Sequence, residues 1–221
     1  MRTIRVTGKG QLKVKPDMTR ITISLEGRFP NYRETLQRSS ADTEQLKSLL
    51  STFGFAGSDL KTLNFGVDTE YESYKEKGVF KQRLIGYKYH HVMKVEFDSD
   101  NDRLGRVLYG LANSPLHPEF RLSYTVKDPE AAKNELLGKA ITDAKQKAEV
   151  LTSAAEITLK AIQTIDYSWG QINLEVQPMN RMLMPQACCE EADAAYGAYD
   201  MNIEPDDIEV ADTVTVVWEI E

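Results

Sequence analysis

Cysteine is nearly missing from this 221-residue chain: the two present, Cys188 and Cys189, are neighbours. Adjacent thiols cannot tie distant parts of a fold together, so disulfides do not hold the core. No apolar run approaches the roughly 20 residues that cross a bilayer as a helix, which excludes a helical membrane protein. Met1 to Val6 pass straight into strand-like alternation without an apolar leader core. The expectation is therefore a soluble, cytoplasmic chain, or a periplasmic one if a signal peptide has been removed. Lys and Arg are absent from Glu190 onward, a stretch rich in acids that include Glu204, Asp206, Asp207, Glu209, Asp212 and Glu219.

The net charge is −7, from 27 Lys and Arg against 34 Asp and Glu. Nucleic acid and anionic membranes need clustered cations, so neither is an expected partner. With 41% hydrophobic and 28% charged residues, the chain has the makings of a packed core and is not a disordered one. The charge is unevenly spread. Residues 1–20 carry Arg2, Arg5, Lys9, Lys13, Lys15 and Arg20 against the single acid Asp17. The plain reading is two solvated faces. The sharper reading places the first and last segments side by side, within one chain or between subunits. It makes Arg2, Arg5, Lys9, Lys13 and Lys15 candidate interaction residues.

Period and punctuation predict the elements. Asn31 with Glu34 resembles a capping box opening a helix over 32–53, with Leu36, Ser39, Thr43, Leu46, Leu50 and Phe53 on one stripe and Gly54 at its end. A short helix over 100–113 carries Leu104, Val107, Leu108 and Leu111 and stops at Ser114-Pro115. Asp128-Pro129 opens the longest helix, 129–155, whose stripe runs through Leu136 or Leu137, Ala140, Ala144, Ala148, Leu151 and Ala155. From Ile85 to Phe97 every odd position is apolar, aromatic or histidine, the mark of a half-buried strand. Similar alternation marks 60–74, 120–126, 159–176 and 208–220, and the front strands are expected around turns at Gly8-Lys9-Gly10 and Pro16-Asp17.

In order, the two halves are alike. The chain reads as one α+β domain over 1–221: two β-α-β-β pseudo-repeats, 1–98 and 117–221, bridged by helix 100–113. They are expected to form antiparallel sheet with helices packed on one face. Residues 177–205 have no clear period and are too long for an ordinary connector, a long loop before the C-terminal strand. Long strands leave edges that call for cover, and homo-oligomerisation supplies it.

Ile4-Arg-Val-Thr-Gly-Lys-Gly10, Val14-Lys-Pro-Asp17, Gly86-Tyr87, the ladder Ala140/Ala144/Lys147-Ala148/Leu151 and the ending Val214-Thr-Val-Val-Trp-Glu-Ile220 together resemble the SIMPL-domain family. The resemblance covers essentially the whole chain. It implies kinship with bacterial periplasmic and outer-membrane-associated immunogenic proteins, with proteins linked to oxidative-stress tolerance, and with a eukaryotic adaptor that binds a signalling kinase. It also implies a tendency to assemble, since some bacterial members form large rings. The family brings no established catalytic residues.

Candidate chemistry is thin. Gly8-Lys9-Gly10 invites a phosphate-loop reading, but strand residues Leu12 and Val14 follow where a helix N-terminus is required. His90 and His91 fall on opposite faces of one strand and cannot share a metal. His91, on the apolar face, reads as a satisfied core histidine, and His117 lies between Pro115 and Pro118. Cys188, Cys189, Met182 and Met184 are weak candidates for a soft ion such as Cu(I), or the thiols for a strained disulfide. Otherwise Met179, Met182 and Met184 are adaptable contact residues. No cofactor and no enzyme activity are expected. The leading expectation is a non-enzymatic, self-assembling module that binds an unidentified protein, with a stress response as its expected setting. The alternatives are a metal- or redox-responsive protein using the loop thiols, and a hydrolase whose site would show as a pocket of converging titratable groups.

Overall fold

The computed structural model describes residues 2–76, 78–167, 172–177 and 203–221. Along them run β1 (Arg2–Val14), β2 (Met18–Phe29), α1 (Tyr32–Ser51), β3 (Lys61–Glu76), β4 (Val79–Asp98) and α2 (Asn101–Ala112). Then follow β5 (Glu119–Thr125), α3 (Pro129–Ala154), β6 (Leu159–Asp166), β7 (Glu175–Val176) and β8 (Ile208–Ile220). The class is α+β, as the order of periods implies. Met179, Met182, Met184, Cys188 and Cys189 lie outside the described residues.

The chain divides into two compact units. One gathers both ends of the chain, with Met1–Asp17, Tyr124–Val176 and Pro205–Glu221, and is called terminal below. The other, central, unit is built on Met18–Ser123. The units therefore cut the chain differently from the halves 1–98 and 117–221, because β1 belongs with the C-terminal elements.

In the terminal unit β1 pairs antiparallel with β8 along its whole length, from Arg2 opposite Ile220 to Val14 opposite Ile208. β6 flanks β8 on the other side, so the strand order is β1-β8-β6. Alternation puts Val6, Gly8, Gly10 and Leu12 of β1 and Val214, Val216 and Trp218 of β8 inward. Leu136, Ala140, Ala144, Ala148 and Thr152 of α3 are buried on the facing stripe. The expected stripe ended on Leu151 and Ala155; both are exposed instead. Strict four-residue steps keep one face of a helix in line, and after Ala148 they lead to Thr152. Its hydroxyl donates to the Ala148 carbonyl (2.9 Å), which permits its burial.

The turn expected at Gly8-Lys9-Gly10 does not form: β1 runs straight through it. These glycines answer a different need. A Cβ on Gly8 would stand 2.0 Å from the Ala140 carbonyl oxygen and 2.5 Å from the Ala144 nitrogen, and one on Gly10 would stand 2.2 Å from the Leu136 carbonyl oxygen. Glycine on the strand and alanine on the helix let two backbones come closer than side chains allow. The helix also closes the outer edge of β1. The Lys9 N–H donates to Asp143 Oδ2 (2.7 Å), and Lys147 Nζ donates to the Thr7 carbonyl (3.4 Å).

In the central unit the strand order is β3-β4-β2-β5. Ile21, Ile23 and Leu25 of β2 lie opposite Val95, Met93 and His91 of β4. Over them α1 brings Leu46 and Leu50, and α2 brings Leu104, Val107, Leu108 and Leu111, all in one buried cluster. The capping box at the start of α1 is not made: the Asn31 side chain caps nothing, and Thr35 donates both its N–H and its hydroxyl (each 2.9 Å) to the Asn31 carbonyl. That pulls Thr35 inward and leaves Leu36, expected on the stripe, exposed. Asp100 caps α2 through the Arg103 N–H (3.0 Å), and Asp128 caps α3 through the Ala131 N–H (2.8 Å) with Pro129 next, as expected.

Arg103 fastens the end of α1. Its guanidinium carbon lies 4.1 Å from the Phe55 ring centroid and 5.3 Å from that of Phe97, and Nη2 donates to the Phe53 (3.3 Å) and Gly54 (3.4 Å) carbonyls. A lysine keeps the charge but loses the planar fork and the stacking. Arg103→Lys is expected to cost about 1–2 kcal/mol in urea unfolding. An unchanged midpoint would show that the stack carries no load.

The two units share a topology. In the central one, β2, α1, β3 and β4 give the order β2-β4-β3; in the terminal one, β1, α3, β6 and β8 give β1-β8-β6. Each is a β-α-β-β unit whose first strand lies against its last.

Candidate functional site

The cationic residues singled out in the N-terminal segment lie on and just beyond β1. Arg5, Lys9 and Lys13 point alternately away from the buried row, onto the face of the sheet opposite α3. Arg2 is on the inward row at the strand's exposed start, and Lys15 lies past its end. The structure thus brings three of the five onto one face. The juxtaposition of basic start and acidic tail is real and lies within one chain. Lys13 sits opposite Glu209 and forms ion pairs with Glu209 (3.3 Å) and Asp207 (3.6 Å). Its ammonium pKa is raised, first by the hydrogen bond to Glu209, then by the charges of Glu209 and Asp207. With α3 also closing the edge at Thr7–Lys9, β1 offers a subunit partner little to pair with.

The second surface is a long ribbon. β2 ends at Phe29, opposite Tyr87, so among the described residues Tyr71–Glu76 and Val79–Leu84 pair only with each other, and Ile85 falls at the register slip next to them. Every described residue from Tyr71 to Ile85 is exposed. Cross-strand pairing sorts the side chains. One face carries Tyr71 opposite Leu84, Ser73 opposite Gln82 and Lys75 opposite Phe80. The other carries Glu72 opposite Arg83, Tyr74 opposite Lys81 and Glu76 opposite Val79. On this second face the charges satisfy one another: Arg83 pairs with Glu72 (2.6 Å), Lys81 with Glu76 (2.5 Å), and the Arg83 guanidinium lies 5.7 Å from the Tyr74 ring centroid. The first face sets Tyr71, Phe80 and Leu84 among Ser73, Gln82 and Lys75, with the Lys75 ammonium 5.7 Å from the Phe80 ring centroid and Phe80 still 76% exposed.

The third feature is an open cleft of about 370 Å³ between α1 and the β3–β4 pair, with His91 at its base. His91 is only 8% exposed, and both ring nitrogens are engaged. Thr43 Oγ1 donates to the Ser39 carbonyl (2.7 Å), so it accepts from His91 Nδ1–H (3.0 Å). Nε2 is left to accept from Thr62 Oγ1 (2.9 Å). The Phe65 ring meets the imidazole edge-on, with centroids 5.1 Å apart. Burial first, and the Lys47 charge second, lower the His91 pKa. A hydroxyl donating to an imidazole nitrogen has the geometry of a nucleophile and its base. Here the opposite nitrogen meets a neutral hydroxyl, and burial and the Lys47 charge both disfavour the imidazolium that base catalysis creates. The site is built to hold a neutral ring.

The sign of the resulting pH dependence follows. A histidine whose folded pKa is depressed takes up its proton more readily unfolded, so its contribution is complete above about pH 6.5 and is lost as the pH falls through that value. The urea midpoint is expected to drop between about pH 7.5 and about pH 5.5, and to drop less in His91→Gln. Equal acid sensitivity in both proteins would exclude His91 as the cause.

His90 lies on the opposite face, with Nδ1 3.4 Å from Asp68 Oδ2. Among the described residues no three His, Cys, Asp or Glu side chains gather as metal ligands. No described helix is long and apolar enough to cross a membrane. Sequence reasoning missed the exposed hydrophobic side chains of the ribbon and the two threonines that hold His91. A usable signal for the ribbon lies in length: β3, at 16 residues, and β4, at 20, are longer than the other described strands.

Fold and surfaces together define an α+β protein made of two β-α-β-β units, one of which extends a two-stranded arm. The chain belongs to the SIMPL family, described as a protein of unknown function (DUF541), whose match spans residues 4–218. It is 23% identical over 218 residues to the uncharacterized protein YggE of Escherichia coli strain K12, covering 99% of this chain and 83% of that protein. The same figures hold for YggE of Shigella flexneri. Among solved structures, CutA from Synechococcus elongatus aligns with 59% of this chain and 95% of its own, at 12% identity and a TM-score of 0.22. A score that low carries no argument about fold or assembly.

Proposed function

We propose that this protein is a non-enzymatic assembly and protein-binding module whose β3–β4 ribbon is the contact arm, and that the first partner of the arm is a second copy of the chain. The observation that carries this is the ribbon from Tyr71 to Ile85, two strands exposed on both faces with Tyr71, Phe80 and Leu84 exposed on one. An isolated two-stranded ribbon is marginal in water, and a long exposed apolar edge invites a neighbour. The same chain carries further uncovered apolar side chains in its terminal unit: Val150 and Leu151 on α3, Ile162 and Ile165 on β6. A head-to-tail contact between copies covers two such surfaces at once.

Light scattering across a concentration series tests this. The expected result is a mass that is a multiple of 25.0 kDa. A single 25.0 kDa species at every concentration would defeat the proposal. Salt separates this contact from a charged one. Lys13 already pairs with Asp207 and Glu209 within the chain, which favours the ribbon over the basic strand as the subunit contact. Assembly through Tyr71, Phe80 and Leu84 is expected to persist at about 1 M salt, where ion pairs are screened.

A further inference from the structure

We propose that the cleft above His91 binds a neutral polyhydroxylated ring, the pyranose unit of a glycan. This goes beyond the assembly role and rests on different residues. Glu44 and Lys47 both line the cleft and pair with each other at 2.6 Å, so the lining offers an acceptor and a donor without net charge. An anionic ligand would meet the Glu44 carboxylate. A cationic one would meet the Lys47 ammonium. A ligand hydroxyl both donates and accepts, which suits such a lining.

The remaining positions fit the same chemistry. Ser40 lines the cleft and, among the described residues, its hydroxyl has no protein partner. Thr62 commits its proton to His91 and keeps lone pairs for a ligand hydroxyl. Leu36 and Phe65, the latter 46% exposed, form an apolar wall against which the C–H face of a sugar ring can pack. A few placed polar groups beside an aromatic surface, in a concavity of this size, make a small-ligand site. Thr62 stays in the β3–β4 ladder opposite Met93, and the register slips just after it, leaving Leu63 unpaired before Asn64 opposite Val92.

The test is an NMR titration of the isotopically labelled full-length protein. The probes are methyl glycosides of gluco, galacto and manno configuration, with inorganic phosphate alongside. The expected result is saturable movement of the His91 imidazole and Thr62 amide signals with at least one glycoside, with a Kd on the order of 1 mM. Phe65→Ala removes the ring that meets the imidazole edge-on and so shifts the free-state His91 signals; it is expected to keep the native circular dichroism spectrum and to weaken binding, read at the Thr62 amide, roughly tenfold or more. Saturable shifts with phosphate and none with glycosides would mean an anion site and overturn the proposal. So would the absence of saturable shifts with every glycoside, or full affinity in Phe65→Ala.

Discussion

Gly8→Ala is expected to lower stability by about 3 kcal/mol or more, one of the largest effects of a single methyl group anywhere in the chain. The added carbon would lie 2.0 Å from the Ala140 carbonyl oxygen and 2.7 Å from the Ala144 Cβ. Neither obstacle is the loose end of a flexible side chain, so the whole of α3 must lift from the sheet. Lifting it loosens Ala140, Ala144 and Ala148 against Val214, Val216 and Trp218 and pulls Asp143 from the Lys9 N–H. For a chain of this size the loss corresponds to a fall of about 6–12 °C in Tm. Gly138→Ala is the matched control: nothing lies within 4 Å of its added Cβ, and it sits within α3. Alanine there is expected to add about 0.5–1 kcal/mol through helix propensity. Differential scanning calorimetry of the pair decides the matter, and equal transitions would refute the close approach.

Phe80→Asp combined with Leu84→Asp is expected to reduce the assembly to single chains while leaving each chain folded. Both residues are exposed and lie on the ribbon beyond the reach of β2, so no core contact is lost. Burying each apolar side chain at a contact contributes about 1.5–3 kcal/mol, and a carboxylate in its place adds a desolvation cost. Together the two substitutions are expected to weaken association roughly 10²–10⁴-fold. Glu72→Ala with Glu76→Ala is the contrast. It alters the opposite face, where charges are paired and exposed, and such pairs contribute little. Sedimentation velocity with circular dichroism reads both quantities. If the aspartate protein keeps the native mass with an unchanged spectrum, the arm is not the contact.

The local elements were plain in the sequence because their causes are local. Asp128-Pro129 caps its own helix, and alternation from Ile85 to Phe97 reports one strand's two faces. His91 could be assigned to the core from that alternation alone. Features caused by distant residues were not readable. Gly8 and Gly10 looked like a turn because the helix that needs their bareness begins at Pro129. Thr35 and Leu36 are adjacent candidates for one inward position, and a hydrogen bond to Asn31 decides between them. The partners of His91, Thr43 and Thr62, come from a helix and a neighbouring strand, so no spacing along the chain announces them. The ribbon was visible as two strands, but its bareness depends on where β2 stops. The charge asymmetry did announce that first and last strands meet.

That meeting orders events during synthesis. The ribosome delivers β1 first and its hydrogen-bonding mate β8 last, with the whole of Met18–Ser123 in between. At 5–20 residues per second, β1 waits roughly 10–40 s for Ile208–Ile220 to emerge. Met18–Ser123, the single stretch on which the central unit is built, is complete long before then. The opening strand meanwhile bears an unmatched row of amides and carbonyls, open to a chaperone or to a neighbouring polysome's product. Loss of a dozen residues at either terminus therefore removes half of one strand pair, whereas a short peptide joining Arg2 to Ile220, already opposite each other, would allow the molecule to be reopened elsewhere.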